Sequence, residues 1–128
     1  MVTILSTTFS VPSSGPRCRK CHSESKLLVT RSGNRNGNAG RPYYRCSKCP
    51  EFLCFADERG IDQGNPICLC GVPSRRQISG SLKRVPRGLH YVCSRGECFF
   101  YLPLYGSHGE QVGLAEELTD IFIQLRII

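Results

Sequence analysis

Nine cysteines carry the chemistry that this sequence can do. Cys18-x2-Cys21 and Cys46-x2-Cys49 are two close pairs, and Cys68-x-Cys70 with Cys93-x4-Cys98 makes a looser version of the same arrangement. Zinc takes four thiolate or imidazole ligands in a tetrahedron, and a close Cys pair supplies two of them from one tight turn. Two pairs far apart in sequence therefore clip two hairpins around one ion. The spacing predicts two closed sites holding two Zn2+ ions, which leave no open position for water and are structural in kind. Cys54 is left over. It could replace Cys49 as a ligand, although pair geometry favours Cys49, and the setting Phe52-Leu53-Cys54-Phe55 suits a small buried hydrophobe. His22 or His90 could also ligate, but four cysteines per site make this unnecessary.

Other uses of cysteine fit less well. An odd count does not suit a closed disulfide framework. Cys18-Arg19-Lys20-Cys21-His22 has the C-x-x-C-H form of covalent haem attachment, yet the repeat described below needs Cys21, and the only Met is Met1. No βαβ pattern surrounds the pair, as a thioredoxin-like site would need. The 128 residues hold no apolar run near the roughly 20 needed for a membrane span. The opening MVTILSTTFSVPSSGP has no basic segment ahead of its apolar patch. The expectation is an intracellular protein, nuclear or cytoplasmic, that is not secreted and meets no membrane. No acid-base pair or activated nucleophile can be named, so no enzyme is expected.

The elements that must position these ligands recur. The separation is 50 residues from Cys18 to Cys68, 49 from Cys21 to Cys70, 47 from Cys46 to Cys93 and 49 from Cys49 to Cys98. That near-constant offset marks a duplication. Each copy runs from a Cys pair through about two dozen polar and Gly-rich residues to an aromatic, a third Cys, a fourth Cys and an aromatic run. Such runs, bounded by Gly and Pro, predict short antiparallel strands. The chain divides into a disordered tail (1–16), a first finger (17–57), a linker (58–67), a second finger (68–105) and a C-terminal tail (106–128). In the last, Leu114, Leu118, Ile121, Phe122 and Leu125 recur at helical spacing. The expected fold is thus a small, metal-stabilised, β-rich protein of two tandem zinc ribbons with a short C-terminal α-helix. The helix either packs on the ribbons or holds a protein partner.

Charge follows the same division. Residues 17–57 carry nine Lys/Arg against three acids, residues 58–105 seven against three, and residues 106–128 one against four. Basic side chains beside aromatic ones suit a phosphate backbone and unpaired bases. The candidates are Arg41, Tyr44, Arg45 and Lys48 in the first copy, and Arg75, Arg76, Lys83, Arg84, Arg87 and Tyr91 in the second. Strand residues alternate faces, so only one of Tyr43 and Tyr44 can point outward.

The first copy resembles the GRF-type zinc finger, in particular the paired, ribbon-like kind found in fungal proteins. It carries Gly40-Arg41-Pro42-Tyr43-Tyr44-Arg45-Cys46, then Cys49 and Phe52-Leu53-Cys54-Phe55-Ala56-Asp57. The second copy is looser, with Arg87-Gly88 in reversed order before Leu89-His90-Tyr91-Val92-Cys93. The resemblance implies small β-sheet claws that bind single-stranded DNA or RNA, as a binding module without its enzyme. The competing expectation is a protein-interaction adaptor in which the ribbons are scaffold.

Overall fold

The computed structural model describes residues 15–34 and 36–128. The expected disordered tail lies outside them, except for its last two residues. Strands β1 (Ser25–Val29), β2 (Pro42–Cys46) and β3 (Phe52–Phe55) form one antiparallel sheet in the order β1-β2-β3. Strands β4 (Arg75–Ile78), β5 (Leu89–Val92) and β6 (Tyr101–Pro103) repeat it as β4-β5-β6. A helix, α1 (Glu116–Gln124), follows. No described helix is long and apolar enough to cross a membrane.

Register explains which residues of each sheet face inward. Tyr44 lies opposite Cys54, and Arg45 lies opposite Phe52, so Leu53 has no partner of its own. An unpaired extra residue interrupts the two-residue alternation of a strand. Leu53 and Cys54 are both buried as a result, and Phe52 and Phe55 share the opposite face with ring centroids 5.0 Å apart. The first core is Cys18, Tyr44, Cys46, Leu53 and Cys54, three of them cysteines. A unit of about forty residues with so little hydrocarbon inside depends on a staple, which a metal held by its cysteines would provide.

The two sheets are welded into one body. Arg75, fully buried, donates from Nη1 to Asp57 Oδ1 and Arg59 O, both at 2.8 Å, and from Nη2 to Phe55 O at 3.1 Å and Asp57 O at 2.7 Å. Arg41 grips the same carboxylate from the first unit, with Nε 2.7 Å from Oδ2 and Nη2 3.1 Å from Oδ1. Burial raises the Asp57 pKa, but the hydrogen bond and charge of Arg41, with the charge of Arg75, more than offset this and hold it below the usual carboxylate value. Burial brings Arg75 down to about 10, which leaves it charged at neutral pH. Arg19 makes a second tie, donating to Glu51 and Phe52 O of the first unit and to Cys98 O of the second. Gly96 of the second unit sits so close to the first that a Cβ would meet Leu53 O at 2.7 Å, and its φ of 68° also favours glycine.

The segment 58–67 is wound into this junction and is no loose linker. The side-chain amide of buried Asn65 donates to Gly60 O and Ser74 O, and Ile61 and Ile67 form bridges to Arg75 and Pro73. The C-terminal stripe also differs from the sequence expectation. Leu114 precedes the helix and packs with Leu89 and Ile128, joined by Phe122, Ile123 and Ile127. Leu118, Ile121 and Leu125 stay exposed. The chain end then ties both units together: Arg59 donates to Ile128 O and to Gly37 O, and Arg76 donates to Ile127 O.

Candidate functional site

The Sγ atoms of Cys18, Cys21, Cys46 and Cys49 lie within 4.8 Å of one another, and so do those of Cys68, Cys70, Cys93 and Cys98. A tetrahedron of thiolates at the usual zinc distance of about 2.3 Å puts sulfurs about 3.8 Å apart. Here Cys18 and Cys49 are 3.5 Å apart, Cys21 and Cys46 3.4 Å, Cys68 and Cys93 3.9 Å, and Cys70 and Cys93 3.8 Å. All nine cysteines are free thiols. Both four-cysteine groups fit zinc.

Local backbone prepares each group for charge. The N–H of Lys20 points to Cys18 Sγ at 3.4 Å, those of Lys48 and Cys49 to Cys46 Sγ at 3.4 Å, and that of Cys70 to Cys68 Sγ at 3.3 Å. Such bonds favour the thiolate. Hydrogen bonds from Ser23 side chain and backbone bring Cys21 down to about 6. Cys49, which shares its proton with Cys46 and Cys18, is pushed up to about 12. In the second group burial raises Cys93, but the N–H groups of Glu97, Cys98 and Arg95 prevail and bring it to about 7. Opposite shifts inside one group are what four crowded sulfurs do without a cation; a divalent ion lets all four ionise. Cys54 lies outside both groups in the first core, where burial pushes it up to about 12. His90 packs on Tyr101 at 5.1 Å and lies outside the second group, and His22 lies outside the first.

The basic and aromatic candidates divide by burial. Arg41 and Arg75 are buried on Asp57, so neither presents its guanidinium to a ligand. Tyr44 and Tyr91 point inward, each less than a tenth exposed, which removes their faces from stacking. Arg76 is spent on Asn65 Oδ1, Ile127 O and the Tyr91 ring, and Arg87 on Leu114 O. Arg45, Lys48, Lys83 and Arg84 make no ion pair among the described residues, and Lys48, Lys83 and Arg84 are exposed.

An open face of which the sequence candidates held only Arg45 lies on the outer side of the first sheet. Register places Lys26, Arg45 and Phe52 in one row across its three strands and Leu28, Tyr43 and Phe55 in the next. Tyr43 and Phe52 have ring centroids 5.7 Å apart, and Arg41 closes the back of Phe55 with its guanidinium 3.7 Å from the ring centroid. Tyr43, Phe52 and Phe55, with Arg31, Asn34 and Asn38, bound a recess of about 500 Å³. Alternation along β2 was the available signal, but sequence could not say which tyrosine the core would take.

No curated protein matches the chain. Residues 15–59 match the family model of the GRF-like zinc ribbon domain, and the second four-cysteine group, beyond that match, repeats its ligand pattern. The first unit of this chain is thus similar to a GRF-like zinc ribbon over those residues, and a second four-cysteine unit suited to zinc is fused onto it.

Proposed function

We propose that the protein is a non-catalytic module that binds single-stranded nucleic acid, DNA or RNA, on the outer face of its first sheet. The observation that carries this reading is the set Lys26, Arg45, Tyr43 and Phe52 on that face, which puts two cations beside two accessible aromatic rings, with Phe55 buried under Arg41 as their floor. Unpaired bases stack on aromatic faces whatever their sequence, and cations track the phosphates between them. Both zinc groups are closed by four thiols, which supports a structural part for the metal. Fluorescence anisotropy with a labelled single strand tests the reading. Tyr43→Ala with Phe52→Ala should weaken binding, Lys26→Ala with Arg45→Ala should flatten its salt dependence, and wild-type affinity in both variants would sink it.

A second reading keeps one observation on its side. Leu118, Ile121 and Leu125 line the outer side of α1, beside Glu116, Glu117 and Asp120, and suit a protein partner. Capture of a partner that survives nuclease and is lost on removing residues 106–128 would favour it.

A further inference from the structure

The second unit has an outer face of its own, built differently. Counting strands from the third Cys of each copy, Lys26 corresponds to Arg75, Tyr43 to His90, Phe52 to Tyr101 and Phe55 to Pro103. Arg75 has been drawn into the junction and Val92 stands where Arg45 does, so this face has lost both cations of the first sheet's row. Their replacement comes from the loop between β4 and β5. Lys83 and Arg84, both exposed, stand with His90, Tyr101, Tyr105 and Gln111 around a recess of about 1040 Å³. Tyr101 and Tyr105 are each more than half exposed, and His90 stacks beneath Tyr101 with an interplanar angle of 27°. One acid, Glu110, is among the described lining residues, against the two cations.

The loops that border the two recesses touch. Gly80, in the same loop as Lys83 and Arg84, lies against Asn36, whose amide nitrogen is 3.7 Å from where a Cβ on Gly80 would stand. Asn36 in turn donates its N–H to Asn34 Oδ1, and Asn34 lines the recess of the first sheet. The two hollows therefore flank one loop-to-loop contact on a body welded by Asp57, Arg75 and Arg19.

We propose that the hollow around Lys83, Arg84, Tyr101 and Tyr105 is a second nucleotide-binding site, and that a single strand occupies both sites at once. This rests on the nucleic-acid reading of the first face. Its consequence is avidity, because the second site engages a strand already tethered at the first, and rigid spacing gives a high effective concentration.

The zinc-loaded full chain is titrated with oligothymidines of about 4 and about 16 nucleotides, the span of site sizes for small single-strand binders. Two short strands should bind per chain but only one long strand, and the long strand should bind on the order of 10²-fold more tightly. Lys83→Ala with Arg84→Ala, on an exposed loop, should lower the salt slope for the long strand by about 1.4, at about 0.7 per phosphate. Tyr101→Ala with Tyr105→Ala should abolish the length effect and leave one short strand bound, at the first face. A wild-type chain that takes one short strand, with the loop variant unchanged, would overturn the second site and leave the first standing. Absence of binding to either length would overturn both, and loss of short-strand binding only in Tyr43→Ala with Phe52→Ala would confine the activity to the first sheet.

Discussion

The two units share a strand order, a ligand pattern and an inward tyrosine before the third Cys, and they differ in what has become of one cation. In the first sheet Lys26 is exposed at the edge strand; at the corresponding place in the second, Arg75 is fully buried and bonded to four acceptors of the first unit and the segment after it. A guanidinium can be satisfied in that way because its planar fork reaches several oxygens, whereas an ammonium would lose hydration it could not replace. The same strand position serves an open face in one copy and the weld between copies in the other. Duplicated zinc ribbons thus need not be beads on a string.

The largest effect with which to probe the comparison is removal of a metal. Structural zinc contributes on the order of 10 kcal/mol in small domains, so Cys46→Ser and Cys93→Ser should each cost one ion and the local sheet. Native mass spectrometry should read two zincs in the parent, one in either variant, and two in Cys54→Ser. One ion lost from Cys54→Ser would return Cys54 to the ligand set. Because Asp57, Arg75 and Arg19 join the units, the remaining ion in Cys93→Ser should exchange faster to a chelator than in the parent; an unchanged rate would mean the weld transmits nothing.

Next in size is the weld itself. Asp57→Asn leaves Arg41 and Arg75 buried without their counter-charge, which costs about 3–5 kcal/mol when one partner of a buried pair is removed. Lys26→Ala, at the corresponding position of the open sheet, should change stability by no more than about 0.5 kcal/mol. Urea denaturation of the zinc-loaded proteins reads both. The Asp57 pKa is lowered in the folded state, so its contribution is whole at pH 7, begins to be withdrawn as pH falls below the ordinary Asp value and is gone once pH has passed the lowered one. Equal midpoints for the two variants at pH 7 would erase the distinction between the copies.

How far these differences were legible in the sequence follows from their physics. Ligand spacing is local, so both four-cysteine groups could be read directly, and the pairing of Cys46 with Cys49 left Cys54 to the core. The short strands were legible too, from aromatic runs; β4, with sequence RRQI, was not, because Arg75 and Arg76 serve a junction and Ile78 alone meets a core. Arginine's type does not reveal its partner, so the sequence alone does not distinguish Arg41 and Arg75, which close on Asp57 between them, from phosphate ligands. The helix starts later than the apolar period for a similar reason: Leu114 keeps the period, but its N–H is taken by Arg87 O across an irregular strand-like contact.

Neighbouring tyrosines give the next contrast. Tyr43→Ala should leave folding nearly untouched and weaken single-strand binding by about 1–3 kcal/mol, the usual worth of one stacked base. Tyr44→Ala should do the reverse and cost about 3 kcal/mol of stability by emptying the first core. If Tyr44→Ala folds normally yet fails to bind, the assignment of faces along β2 is inverted.

The smallest effect concerns α1, where one side of the helix is bound into the second unit and the other is open. Phe122 and Ile123 pack against the core of Leu89, Leu114 and Ile128, while Leu118, Ile121 and Leu125 meet solvent. Leu118→Ser with Ile121→Ser removes apolar area that is already exposed, so each change should alter the unfolding free energy in urea by less than about 0.5 kcal/mol. A large loss would mean that the stripe is covered in solution by a second copy, and sedimentation would then show a dimer that the double variant dissolves. Unchanged stability together with unchanged single-strand binding would leave this side of the helix outside both units' work. Of the acids beside it, Glu116 and Glu117 would then act only by lending negative charge to the first turn of the helix, where it is favourable.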